Sequence, residues 1–133
     1  MALVTPVAYP SGNTNANLVV PPISGDLYAG EALLAAAPCY IKASDGLVYQ
    51  SNGTAATEPS NFDGFTPTAY GVGEAVTLMG IGAQFGYSTG MTPGAKLFIA
   101  ATAGRLDTVA TTGDAVGVAK AVNATMIRIT RSA

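Results

Sequence analysis

Glycine and proline interrupt this sequence so often that short strands and turns are the elements it forms most readily. Sixteen glycines and eight prolines fall within 133 residues. Inside a helix a proline removes a hydrogen bond and clashes with the preceding turn, and a glycine costs about 1 kcal/mol relative to alanine. Nearly half of the residues are nevertheless apolar, enough for a packed core. One domain built mainly of β-strands, with an appended arm, is the expectation.

Residues 1–26 read as that arm. Thr5 to Asn15 follows neither a helical nor a strand period, and Leu18-Val19-Val20-Pro21-Pro22-Ile23 is apolar but carries prolines that cannot donate to a sheet ladder. Fully extended, the arm would reach roughly 85 Å, against a radius of gyration of about 13 Å for the rest. Its apolar side chains, Val4, Val7, Tyr9, Leu18, Val19, Val20 and Ile23, favour docking on a neighbour over a solvated tail. They are the candidate contact residues.

Residues 27–133 read as the β-rich domain. Cys39 to Lys42 and Leu47 to Tyr49 flank Asp45-Gly46, a hairpin signature. Residues 51–64 are polar and loop-like. Glu74 to Met79 predicts a strand, and Ala83, Phe85 and Tyr87 alternate with Gln84, Gly86 and Ser88 at the period of a half-buried strand. Lys96 to Ile99 and Leu106 to Val109 flank Thr102-Ala103-Gly104 as a second hairpin. Val116 to Ala119 and Thr125 to Thr130 complete the set, with Ile127 and Ile129 on one face of the last strand. One short helix is expected, Glu31 to Ala37, ended by Pro38.

A weak repeat runs through the domain. Tyr40-Ile41 precedes Gly46 as Phe98-Ile99 precedes Gly104, and each hairpin is followed by a glycine-centred segment and a further strand. A duplicated β-unit closing into a small barrel accounts for this; so does chance likeness between short hairpins.

Charge is sparse and uneven. Residues 1–74 hold Asp26, Glu31, Asp45, Glu58, Asp63 and Glu74 against Lys42 alone, whereas residues 75–133 hold Lys96, Arg105, Lys120, Arg128 and Arg131 against Asp107 and Asp114. The asymmetry suits a subunit oriented on a partner surface, or simply solvated strand faces. Clustered basic residues of the kind nucleic acid requires are missing, so no nucleic-acid partner is expected. A surface this poor in charge leaves apolar patches, and such patches mark contact surfaces. A permanent assembly follows as an expectation.

Catalytic chemistry finds little to work with. The chain has no histidine, which removes the usual general base and every Ser-His or Cys-His pair. Gly86-Tyr87-Ser88-Thr89-Gly90 has the G-x-S-x-G form of a nucleophile elbow but no histidine to serve it, so Ser88 reads as a turn residue. Cys39 reads as a small buried hydrophobe. Gly90 to Lys96 misses the Walker spacing, and Gly80, Gly82 and Gly86 miss G-x-G-x-x-G by one position. No enzyme activity, cofactor or metal is expected. The N-terminus lacks a basic region and an uninterrupted apolar core, so no secretory signal is expected, and the longest apolar run, Ala32 to Ile41, is too short to cross a bilayer. Synthesis in a cytoplasm and no membrane partner are the corresponding expectations.

The segment Met91-Thr92-Pro93-Gly94-Ala95-Lys96-Leu97-Phe98-Ile99-Ala100-Ala101-Thr102-Ala103-Gly104-Arg105-Leu106 resembles the signature region of the capsid cement (head decoration) proteins of tailed bacteriophages. Gly113 to Ala121 is similar to a later strand of that family, Thr125 to Thr130 to its closing strand, and Gly30-Glu31-Ala32-Leu33 with Asp45-Gly46-Leu47-Val48 to its first hairpin. The resemblance spans roughly residues 26–131; the polar stretch 51–62 and the arm depart from the family pattern. It implies an all-β fold, a small barrel or tulip-like domain of short antiparallel strands. It also implies a homotrimer seated on the outer surface of an icosahedral head, with the major capsid protein as partner. A receptor- or glycan-binding β-module of a fibre or head appendage is the alternative, with Tyr49, Tyr70 and Tyr87 as its sugar platforms.

Overall fold

The structure, a computed structural model, describes residues 3–4 and 27–131. Nine short strands follow one another: β1 (Leu3–Val4), β2 (Pro38–Ile41), β3 (Val48–Gln50), β4 (Gly64–Phe65), β5 (Gln84–Gly86), β6 (Lys96–Ile99), β7 (Leu106–Asp107), β8 (Ala119–Ala121) and β9 (Met126–Ile129). The fold is all-β, as the glycine and proline content predicts. A six-stranded sheet has the order β1-β7-β6-β8-β9-β5, and a three-stranded sheet the order β3-β2-β4. Every strand pair is antiparallel, and the described pairings form two open ladders rather than one closed ring.

The two hairpins pair in the same register. Tyr40 faces Tyr49 and Ile41 faces Val48 in the first; Phe98 faces Asp107 and Ile99 faces Leu106 in the second. Gly46 and Gly104 both adopt positive φ, 71° and 75°, which an L side chain resists. In each unit a third strand then pairs with the outer side of the first: β4 against β2, β8 against β6. A fourth segment follows, Met79 bridged to Phe65 in the first unit and β9 paired with β8 in the second. Shared strand order and register favour the duplicated unit over chance likeness.

The units meet in one core. Phe65, from the three-stranded sheet, stacks edge-on against Phe62 with ring centroids 5.3 Å apart, and packs at 5.4 Å from Phe85 of the six-stranded sheet. Leu97, Ile99, Leu106, Val118, Ile127 and Ile129 belong to the same cluster. Burying each such side chain contributes about 1.5–3 kcal/mol. A second cluster, Ala29, Leu33, Ala37, Cys39, Val48, Val76 and Leu78, fills the space behind the first hairpin.

Two local expectations are corrected. Residues 31–37 form no helix. Their amides reach distant acceptors: Leu33 donates to the Tyr70 carbonyl, Leu34 to Gln50 Oε1, Ala36 to the Thr66 carbonyl and Ala37 to Thr66 Oγ1. Ala36 sits at φ 53°, which ends any helical run. Tertiary partners thus override the alanine-rich helical preference. The segment from Glu74 to Met79 is no continuous strand either; it makes single bridges, Ala75 with Tyr28 and Met79 with Phe65 of β4.

Candidate interaction surfaces

The start of the chain is tied into the domain. Leu3 and Val4 pair with Asp107 and Leu106 on the outer edge of β7. Val4 is 9% exposed and belongs to the main core, while Leu3 remains 46% exposed. The hydroxyl of buried Tyr87 donates to the Val4 carbonyl at 3.4 Å, and burial pushes its phenol pKa up, with Arg105 and the Leu106 amide opposing. Val4 thus packs in the domain's own core. Val7, Tyr9, Leu18, Val19, Val20 and Ile23 lie outside the described residues.

The groups with nucleophilic potential are placed as follows. Ser88 is buried just beyond β5, beside a cavity of 430 Å³ that Leu3, Val4, Met91, Leu97 and Thr108 also line. The strand-turn-helix frame of a nucleophile elbow does not form there: Gly90 turns the chain at φ 68°, and Met91 leads towards β6. Cys39 is fully buried, its thiol donates to the Ala37 carbonyl at 3.4 Å, and burial followed by the Glu31 charge raises its pKa. Among the described residues no group of three or more Cys, Asp and Glu side chains could hold a metal ion, and no helix is long and apolar enough to cross a membrane.

Charge is sorted onto two separate surfaces. Around the first hairpin stand Glu31, Glu58 and Asp45, each fixed by a backbone amide: Gln50 N–H donates to Glu31, Ala43 N–H to Glu58 and Leu47 N–H to Asp45. Asp45 also accepts the Tyr49 hydroxyl at 2.8 Å. The amide and this hydroxyl hold its carboxyl below the usual carboxylate range. Burial first, then Glu58, Glu31 and Asp45, raise the Tyr40 phenol, so the three acids act on one place. Lys42 is the local cation, over the Tyr49 ring at 5.1 Å.

On the six-stranded sheet the opposite sign is collected. Lys96 faces Lys120 across β6 and β8, and Lys120 faces Arg128 across β8 and β9. Their strand neighbours Leu97, Ala119, Ala121, Ile127 and Ile129 are buried, so alternation puts all three cations on the outer face. The spacing predicts strands for Lys96 and Arg128, but it ends the strand between them at Ala119, where β8 instead runs over Ala119–Ala121, and it does not give the register that aligns the three.

Large apolar side chains also remain outside the core: Val72 is 71% exposed, Val116 66% and Val109 55%. The tyrosines of the glycan alternative are less available. Tyr87 is fully buried, Tyr70 is half-buried with its hydroxyl against Thr77, and half-buried Tyr49 is bound to Asp45. Compared with models of protein families and with curated proteins, the sequence matches none.

Proposed function

We propose that this chain is a structural cement protein. It sits on the outer surface of an icosahedral phage head and joins neighbouring copies of the major capsid protein, assembling with two further copies of itself. The observation that carries this reading is the frame of the resembling segment. Met91 to Leu106 runs through β6, the turn at Gly104 and the start of β7, at the centre of the larger sheet. Exposed Val72, Val109 and Val116 supply apolar contact surface that the core does not use. A cement protein works by adding modest contacts in parallel, so that the effective concentration of the remaining contacts holds a subunit when one lets go.

Purified protein mixed at micromolar concentration with expanded, undecorated shells of its phage should co-sediment with them and raise their resistance to heat. Failure to bind those shells would overturn the proposal. Retention by host cells in place of shells would support the glycan-binding module.

A further inference from the structure

We infer that the Lys96–Lys120–Arg128 ladder is a docking face for the acidic first hairpin of a second copy of this chain. This deepens the self-assembly part of the proposed function and rests on it. Like charges directly opposite each other on adjacent strands destabilise a sheet, and here three stand in consecutive register. The chain does little to relieve them. Arg128 donates to the neutral Gln84 Oε1 at 3.0 Å, and among the described residues the one ion pair is Arg131 with Asp114, on a different side chain. An arrangement that costs the isolated fold is explained when an anionic partner covers it.

The complementary surface is present on the same chain. Glu31, Asp45 and Glu58 gather around the first hairpin, held by the amides of Gln50, Leu47 and Ala43, with Lys42 over the Tyr49 ring, and residues 43–46 at its tip are exposed. The ladder borders a 510 Å³ depression lined by Pro93, Gly94, Lys120, Val122, Arg128 and Thr130, a seat for a protruding turn. The acidic hairpin belongs to the three-stranded sheet and the ladder to the six-stranded one, so the contact joins different surfaces of successive copies. Head-to-tail contacts of that kind close into rings when the rotation permits.

The test is absolute mass by light scattering across a concentration and salt series. Lys120→Glu puts an acid between two cations, which should keep the fold intact while reversing the centre of the ladder. Lys120→Glu and Asp45→Lys should each weaken self-association at least about tenfold, and the double variant, with both charges exchanged, should recover most of the loss. Wild-type association should weaken as salt rises. Unchanged mass in Lys120→Glu, or a double variant no better than the singles, overturns the inference. Should Lys120→Glu stay assembled but lose shell binding, the ladder faces the capsid, and the cement reading stands without this interface. Should it dissociate while wild-type protein binds no shells, the interface stands and the cement reading falls. Salt-sensitive binding of a DNA duplex with unchanged mass would assign the ladder to nucleic acid and overturn the inference.

Discussion

The carboxylate of Asp114 accepts the amide hydrogen bond of Ile99 at 2.8 Å. In the first hairpin Asp63 does the same for Ile41, also at 2.8 Å. Each hairpin therefore has the inner amide of its first strand fastened by an acid from the segment that follows. Asp114 is the more heavily used: it also accepts from the Val116 and Gly117 amides and pairs with Arg131 at 3.1 Å while its own side chain is fully buried. Asp114→Ala leaves those donors without their acceptor and should cost about 3 kcal/mol, measured by urea unfolding. Asp63 is only half-buried, and Asp63→Ala should cost less.

The N-terminal strand predicts a contrast between adjacent residues. Val4→Ala removes buried apolar surface and should cost about 1.5 kcal/mol, whereas Leu3→Ala, at a half-exposed position, should cost well under that. Tyr87→Phe deletes one long hydrogen bond and should cost less than about 1 kcal/mol. Thermal unfolding of the three variants gives the ranking directly; equal effects of Val4→Ala and Leu3→Ala would show that β1 does not hold its place on β7 in solution.

Two glycines should fail for different reasons when replaced by alanine. A Cβ on Gly64 would stand 2.7 Å from the Met79 carbonyl oxygen and 2.9 Å from Leu78 Cβ, prising β4 away from the segment behind it. Overpacking of this kind costs about 1–3 kcal/mol. Gly46 has open space around it but φ of 71°, so Gly46→Ala should cost about 1 kcal/mol through backbone strain alone. Amide exchange separates them: Gly64→Ala should expose the amides of Phe65 and Met79, which bond to each other's carbonyls, and Gly46→Ala should loosen only the hairpin tip.

Acid should act on the first hairpin. Asp45 holds its proton less tightly folded than unfolded, so its contribution to stability is complete above the unfolded value of about 3.9 and is lost as pH falls through the lower folded value. An NMR titration should find the Asp45 carboxyl midpoint below that of a model peptide. Tyr49→Phe removes the hydroxyl donor and should move the midpoint upward; an unchanged midpoint would show that the bond is not kept in solution.

Much of the fold could be read from the residues because its signals are local. Asp45-Gly46 and Gly104 mark turns through backbone conformation, and the Ile127 and Ile129 alternation marks a half-buried strand. The rest depends on distant partners. Residues 31–37 carry helix-favouring alanines, yet Thr66, Tyr70 and Gln50 capture their amides. Val4 offered no sign that β7 would be its neighbour. The charge asymmetry between the halves was visible, but the Lys96–Lys120–Arg128 alignment follows from register, which spacing within single strands does not specify.

The shared register of the two hairpins has a consequence for surface chemistry. A pair of identical half-length chains would have to display the same charges at equivalent places, so any attraction built into one half would be matched by the same residues on the other. Joining the halves covalently removes that constraint. One half is free to become acidic and the other basic, and a chain divided in this way has a direction, which is what the proposed contact between successive copies requires.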